Sequence, residues 1–246
     1  MADSFQFPET ADIETSSDDY ARRFAGEVGA WFLQVQEAVT LKMLAPYPNA
    51  TVLDVGGGHG QVTGGLIENC YQVTVLGSDE SCKARIRHWV DRRACSFNVG
   101  NILDLPYPDQ SFDVVLSYRL LPHVTQWRTF IAELARVAKK AVILDYPEVR
   151  SINYIAPYLF PFKKHLEGNT RPFSCFREAQ LTGVFQPHRF VLAERYAEFF
   201  LPMVLHRKLK KPGLSGQLEN KARSIGITGW LGSPVILKFV RTGGKN

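Results

Sequence analysis

With 246 residues, 45% of them hydrophobic and 22% charged, the chain has the composition of a soluble globular protein with one large core. No apolar run is long enough for a membrane-spanning helix, and the acidic residues 1–19 lack the basic and apolar zones of a signal peptide. The four cysteines form no C-x-x-C pair, which argues against a zinc site or a disulfide framework and favours a cytoplasmic protein.

Helix and strand patterns alternate along the chain. The predicted helices are Asp19–Leu44 (with a break expected near Gly26 to Gly29), Gln61–Asn69, Ser81–Asp91, Trp127–Ala138 and Arg177–Val184. The predicted strands are Thr51–Val55, Gln72–Leu76, Ser96–Val99, Phe112–Ser117, Ala141–Asp145, Phe190–Phe200 and Val235–Arg241. This alternation is typical of βαβ units and predicts a doubly wound α/β fold in one domain, residues 1–246. Within it we expect a helical cap at 1–45, a central half at 46–146, a lid at 147–189 and C-terminal strands at 190–246.

The net charge of +5 is unevenly distributed. The N-terminal residues are acidic, whereas the stretches Arg85–Arg93 and His206–Lys211 are basic. Such stretches are usually solvated faces, so nucleic acid is not a favoured partner, and an anionic membrane is only a minor alternative.

A glycine-rich loop follows the first predicted strand. Residues 56–60 read Gly-Gly-Gly-His-Gly and come directly after the strand that contains Asp54. Glycine allows positive φ angles and lets the backbone pass close under a ligand. The amides of the loop and of the following helix favour a polar or anionic group. The loop therefore predicts a cofactor site, although glycine loops that bind no cofactor also exist.

Spacing separates the cofactors that such a loop binds. A P-loop requires Gly-Lys-Ser/Thr, but Gln61 follows the last glycine here. The dinucleotide fingerprint G-x-G-x-x-G fails from Gly56 and from Gly58 alike. The pattern acid-x-Gly-x-Gly-x-Gly over Asp54–Gly60 instead resembles motif I of the class I S-adenosylmethionine (SAM)-dependent methyltransferases.

A second motif strengthens this resemblance. Residues 100–117 read Gly-Asn-Ile-Leu-Asp-Leu-Pro-Tyr-Pro-Asp-Gln-Ser-Phe-Asp-Val-Val-Leu-Ser. They resemble the G-D-A-x-x-L-P-F-x-D-x-S-F-D-x-V block of the branch that includes the quinone-biosynthesis methyltransferases. The two motifs cover about residues 51–146 in the expected order. The resemblance implies a Rossmann-like, mostly parallel seven-stranded sheet, with SAM as the cofactor and S-adenosylhomocysteine as its product.

The resemblance also assigns cofactor contacts. The residues are Tyr20, Arg23, Asp54, Gly56, Gly57, Gly58, Gly60, Ser78, Asp79, Asn101, Ile102 and Ser117. Tyr20 and Arg23 would lie on a helix that covers SAM, unless this is an ordinary amphipathic capping helix. The chain departs from the family at Gly77, where an acid usually binds the ribose hydroxyls. Ser78 or Asp79 would then take that role.

Two residues after the fourth strand are candidates for catalysis. Methyl transfer by in-line displacement needs alignment and, for a hydroxyl acceptor, a base. His123 has a side chain whose pKa suits a base near neutral pH, and a structural hydrogen bond is the alternative role. Tyr118 and Arg119 are candidate acceptor contacts, with packing or a surface role as the alternative. The sequence shows no metal-ligand cluster, and the resemblance requires none.

Aromatic residues are frequent in the predicted lid. They are Tyr154, Tyr158, Phe160, Phe162, Phe173 and Phe176. They predict an apolar cover over a small hydrophobic or aromatic acceptor, with a satellite core as the alternative. The function predicted is SAM-dependent methylation of that acceptor. An RNA or protein methyltransferase and a non-catalytic SAM-binding protein remain alternatives, and the sequence does not indicate the oligomeric state.

Overall fold

The computed structural model describes residues 7–151 and 173–243, which form a seven-stranded sheet with helices on both faces. The strands are β1 (Thr51–Val55), β2 (Gln72–Gly77), β3 (Ser96–Val99), β4 (Phe112–Ser117), β5 (Ala138–Tyr146), β6 (Phe190–Ala197) and β7 (Val235–Arg241). Their order in the sheet is β3-β2-β1-β4-β5-β7-β6. Neighbouring strands are parallel except that β7 is antiparallel to both β5 and β6. The predicted doubly wound, mostly parallel sheet is thus confirmed.

The helices connect these strands and cover both faces. They are α1 (Ala11–Thr15), α2 (Asp18–Ala21), α3 (Gly26–Leu44), α4 (Thr63–Glu68), α5 (Arg87–Asp91), α6 (Trp127–Val137), α7 (Glu178–Phe185), α8 (Met203–Leu209), α9 (Pro212–Ser224) and α10 (Ile227–Leu231). In the ranges given above, we find no helix with both the length and the apolar character needed to cross a bilayer.

Each face of the sheet has its own apolar core. Successive residues of a strand point to opposite faces, so Val52 and Leu53 of β1 belong to different clusters. One cluster includes Phe130 of α6, and the other includes Leu44 of α3. Strands buried on both faces explain the nearly continuous apolar runs in the sequence.

The carboxyl ends of all the strands except β7 lie at one edge of the sheet, because these six strands run in the same direction. The chain order reverses between β1 and β4, and the crevice at such a switch point is where this class of sheet binds ligands. We call this edge the C-terminal edge.

The predicted helix Asp19–Leu44 is broken into two. A 3-10 turn, Arg22–Phe24, follows α2, and α3 starts at Gly26 with φ 75°. A side chain at Gly29 would overlap the backbone of Phe24, so the chain turns back tightly on itself here. The break lies where the sequence suggested, and α1 precedes it at residues for which no helix was predicted.

Other boundaries differ from the prediction. The predicted helix Ser81–Asp91 consists of a 3-10 turn, Glu80–Lys83, followed by α5, and Gln61–Asn69 shortens to α4. The predicted strand Phe190–Phe200 ends at Ala197. The helices α8, α9 and α10 lie between β6 and β7, where only strands were expected. Residues 152–172 of the predicted lid, including Tyr154 to Phe162, lie outside the described residues.

Candidate functional site

The glycine loop turns sharply at the C-terminal edge. Gly56 and Gly60 have φ angles of 77° and 75°, which L side chains rarely adopt. The loop rests directly on Asp54, because a side chain at Gly57 would overlap the Asp54 carboxylate. Burial raises the pKa of Asp54 to about 7. The sequence prediction of a tight turn over the acid therefore agrees with the geometry.

Replacing Gly58 with alanine should destabilise the fold by about 1–3 kcal/mol, the usual cost of overpacking. Its new methyl group would overlap the carbonyl oxygen of Cys82 and the hydroxyl of Ser16. The matched control is Gly183→Ala inside α7, where no atom lies within 4 Å of the new methyl. That change should be neutral or stabilising, because alanine favours helix. Urea unfolding of both variants measures the difference, and equal stabilities would contradict the tight packing of the loop.

Buried polar atoms without a hydrogen-bond partner surround this loop in the part of the chain that the structure describes. They are Asp54 Oδ1, His59 Nδ1, His59 Nε2 and Thr63 Oγ1. Burial, followed by the charges of Arg85 and Arg119, lowers the pKa of His59 to about 4, so its ring is neutral at pH 7. Native proteins leave few such atoms unpaired. Their concentration indicates a polar ligand or ordered water at the loop.

Residues 11–24, which we call the N-terminal segment, cover the loop. Asp12 is fully buried and accepts hydrogen bonds from Ser78, from the backbone N at 2.5 Å and from Oγ at 2.5 Å. The Cys82 thiol donates to the same carboxylate at 3.4 Å. Ser78 directly follows β2, at the position where the resemblance predicts the ribose of the cofactor. An acid is thus present at this position, but it comes from α1 and not from the end of β2.

The aromatic part of the N-terminal segment fills the rest of the space. The rings of Tyr20 and Phe24 lie 5.7 Å and 5.6 Å from the His59 ring. The cavity that remains beneath them has a volume of about 10 Å³, room for about one water molecule. It is lined by Asp54, Gly56, Gly57, His59, Gln61, Val62 and Tyr118. A cofactor the size of SAM requires this segment to move, since ligand pockets are usually ~300 Å³ or larger.

Arg119, which the sequence predicts as an acceptor contact, also lies at this site. It follows β4 with φ 59°, a left-handed conformation that is uncommon outside glycine and often marks functional sites. Its backbone N donates to Asp145 at 2.6 Å, its Nε donates to Gln61 at 2.8 Å, and its guanidinium lies 4.3 Å from the centre of the Phe24 ring. Its place after β4 was visible in the sequence, but its left-handed conformation was not, because backbone conformation cannot be read from a single arginine.

Two further carboxyl groups are buried at the C-terminal edge. Burial raises the pKa of Asp145, near the carboxyl end of β5, to about 6 and that of Glu198, directly after β6, to about 8. Glu198 is 1% exposed, and neither of its carboxylate oxygens has a hydrogen-bond partner among the residues described. Together with Asp54, they make this edge rich in carboxyl groups that are easily protonated.

Two of the predicted site residues, Ser117 and Tyr118, have side chains that point into the protein. The Ser117 hydroxyl donates to the Val55 carbonyl at 3.0 Å. The Tyr118 hydroxyl lies 2.6 Å from Thr40 Oγ1, and burial raises its pKa well above the ordinary value. These contacts connect the end of β4 to β1 and to α3. Tyr118 also lines the small cavity, so it belongs to the site through its ring.

Other predicted residues lie further out. Asp79 is exposed and accepts from the Ser81 amide at 2.8 Å, which makes it a cap for the next turn. Asn101 accepts from the Leu103 amide at 2.9 Å, beside the buried Ile102. Arg23 is half-exposed, with its guanidinium 4.9 Å from the Tyr20 ring centre.

The predicted base His123 ends a 3-10 turn after β4. Its ring centre lies 5.7 Å from that of Phe173, the first described residue after the gap, which is 61% exposed. His123 is therefore next to the predicted lid and is not among the residues that line the cavity under the loop.

Comparison with known proteins matches the central part of the chain to one family. Residues 53–144 match the model of a family described as a methyltransferase domain. Ajmaline N-methyltransferase of Rauvolfia serpentina is 51% identical over 43 residues, 18% of this chain and 15% of that enzyme. An uncharacterized methyltransferase of Schizosaccharomyces pombe is 30% identical over 129 residues, 47% of this chain and 45% of that protein. The matched stretches thus span less than half of these relatives.

The fold is also similar to solved structures. Magnesium protoporphyrin IX methyltransferase of Synechocystis PCC 6803 with bound SAH has a TM-score of 0.64 at 15% identity, with 92% of this chain and 94% of that chain covered. The same enzyme with bound SAM gives a TM-score of 0.61. At this identity, the similarity shows the fold.

Proposed function

Since the chain belongs to the class I SAM-dependent methyltransferase family, whose cofactor is SAM, we propose that it methylates a small hydrophobic or aromatic acceptor. The observation that carries the proposal is the turn at residues 56–60, which lies over Asp54 at the switch point of the sheet. The unpaired polar atoms around this turn fit a polar cofactor. This fit requires the N-terminal segment to move away from the loop, because the segment fills the space that the cofactor would occupy.

The residues of this chain divide the work in the following way. The loop amides and Asp54 hold the polar end of the cofactor, and Asn101 with Ile102 is proposed to hold the adenine. SAM, when bound, supplies a methyl group already activated as a sulfonium. The protein therefore has to align the acceptor, exclude water and remove a proton where the acceptor carries one. Tyr20 and Phe24 are the side chains that exclude water over the loop.

We propose His123 as the base, because it adjoins Phe173 of the lid. Tyr118 is proposed to bound the reacting side of the cleft through its ring. A small acceptor is supported by the name of one relative, ajmaline N-methyltransferase, but only over a short stretch. Methylation of RNA or protein is the second possibility, and no contact in the described residues favours it.

Calorimetry with SAM and transfer of labelled methyl from SAM test this proposal. We expect SAM to bind and a small molecule in a metabolite extract to become labelled. Once that acceptor is known, His123→Ala should lower turnover about 10²–10⁴-fold, the usual contribution of a general base. His188→Ala, a partly exposed histidine on the turn after α7, is the control. No SAM binding at millimolar concentration contradicts the proposal. SAM binding without any labelled product favours a non-catalytic SAM-binding protein.

A further inference from the structure

Large apolar side chains are exposed mainly in one part of the chain, residues 203–231. They are Val204, Leu205, Leu214, Leu218, Ile225 and Trp230, with exposed fractions from 38% to 72%. Elsewhere in residues 7–151 and 173–243, the comparable side chains are the scattered Val99, Phe173 and Val191. We call residues 203–231, which contain α8, α9 and α10, the α8–α10 surface.

The exposed residues of α9 follow one helical stripe. Leu214, Leu218 and Ile225 are spaced by four and seven residues, which places them on one face of the helix and its C-terminal cap. The neighbouring face, about 90° around the helix, is buried through Ser215, Glu219 and Ala222. Because α9 packs on the protein with its small and polar residues, the apolar stripe beside them stays exposed.

The charge of this surface has one sign. Lys208, Lys210, Lys211 and Lys221 are exposed. The acid in residues 203–231 is Glu219, which is buried and lies 2.9 Å from His206 Nε2. The sequence prediction of a solvated basic face is therefore wrong for His206, which is fully buried. The exposed side chains of the α8–α10 surface therefore combine lysines with leucine, isoleucine and tryptophan.

The α8–α10 surface also has a defined position. It connects the carboxyl end of β6 to the amino end of β7, which are both at the C-terminal edge. The glycine loop, residues 56–60, lies at the same edge. A partner bound to this surface would therefore lie on the cofactor side of the sheet and not on the opposite side.

We propose that the α8–α10 surface docks on an anionic lipid membrane. Apolar side chains that enter the headgroup region and lysines that attract anionic lipid are the two features of such helices. The charge favours this partner over a second copy of the chain, because a two-fold contact would bring the same lysines together. The inference does not depend on methyl transfer, and its test uses no cofactor.

Co-sedimentation with vesicles tests the proposal. Vesicles of phosphatidylcholine mixed with phosphatidylglycerol should bind the full chain, whereas pure phosphatidylcholine should bind much less. Ile225→Asp, and separately the pair Lys210→Glu with Lys211→Glu, should each weaken binding about tenfold or more, since one basic residue contributes ~1 kcal/mol near an anionic surface. Trp230 is exposed, so its fluorescence should shift to shorter wavelength on binding.

Matched controls are available at the other edge of the sheet. Lys139→Glu changes an exposed lysine at the start of β5, and Val191→Asp changes a 46%-exposed valine near the start of β6. Both should bind anionic vesicles like the parent, with circular dichroism confirming that every variant is folded. Equal binding to neutral and anionic vesicles, or no binding, would overturn the proposal. Self-association that Ile225→Asp abolishes would do so too, since it assigns the stripe to a second copy.

Discussion

Replacing Asp12 with alanine should tighten the binding of SAM by about tenfold to a hundredfold. In the closed cleft, the Asp12 carboxylate accepts two hydrogen bonds from Ser78 at 2.5 Å each. Hydrogen bonds to a charged group contribute about 1.5–3 kcal/mol. The alanine variant loses them in the closed state only, so the open, binding-competent state becomes more populated and the apparent Kd falls. Calorimetric titration with SAM measures the change.

The control for this prediction is Asp19→Ala in the same segment. Asp19 is exposed and pairs with Arg22 on the surface at 2.8 Å, and exposed pairs contribute little. Its affinity for SAM should match that of the parent. Weaker binding by Asp12→Ala would contradict a closing role, and would indicate that Asp12 takes the place of the missing acid and holds the cofactor. If neither variant nor the parent binds SAM, the proposed function itself is wrong.

The free energy of unfolding should fall by about 2–3 kcal/mol as pH rises from about 6.5 to 8. Burial raises the pKa of Asp54 to about 7 and that of Glu198 to about 8, against about 4 in an unfolded chain. Between these values the folded state holds more protons than the unfolded state, so stability decreases with pH. Asp145, with a pKa of about 6, contributes mainly below this window.

At lower pH, His59 changes the free energy of unfolding in the opposite direction. Its pKa of about 4 is below its ordinary value, so its contribution rises with pH and is complete near pH 6.5. The decrease in the free energy of unfolding should therefore be clearest above about pH 6.5. Urea unfolding at a series of pH values measures it. Glu198→Gln should remove more than half of the decrease, whereas Glu27→Gln, an exposed control, should leave it unchanged. A full decrease in Glu198→Gln would contradict the buried, protonated state of Glu198.

The central strands were predictable because their local pattern is strong. Thr51–Val55 and Phe112–Ser117 have the predicted limits, as does Ser96–Val99. Short β-branched and aromatic runs bounded by glycine, proline or acid residues have few alternatives to a strand. The type of the loop after β1 was also predictable, since the spacing of its glycines alone excluded a P-loop and a dinucleotide-binding loop.

The contacts that close the cleft were not predictable. Asp12 and Ser78 are 66 residues apart, and nothing in the short acidic helix α1 indicates where it packs. Glu198 follows a strand that was predicted to continue to residue 200, and its burial results from packing that the sequence does not show. α9 was missed because Gly213 and Gly216 weaken its helical pattern, and its exposed stripe resembles a core-facing one.

The position of β7 affects how the protein is made. β7 pairs with β5 on one side and with β6 on the other, although it is the last strand of the sheet in chain order. During synthesis, one edge of β5 therefore has no partner until residues 235–241 have left the ribosome. An unpaired strand edge is a site of aggregation. The cofactor-binding half can thus form early, but the edge of β5 is protected from misassociation only once β7 has emerged.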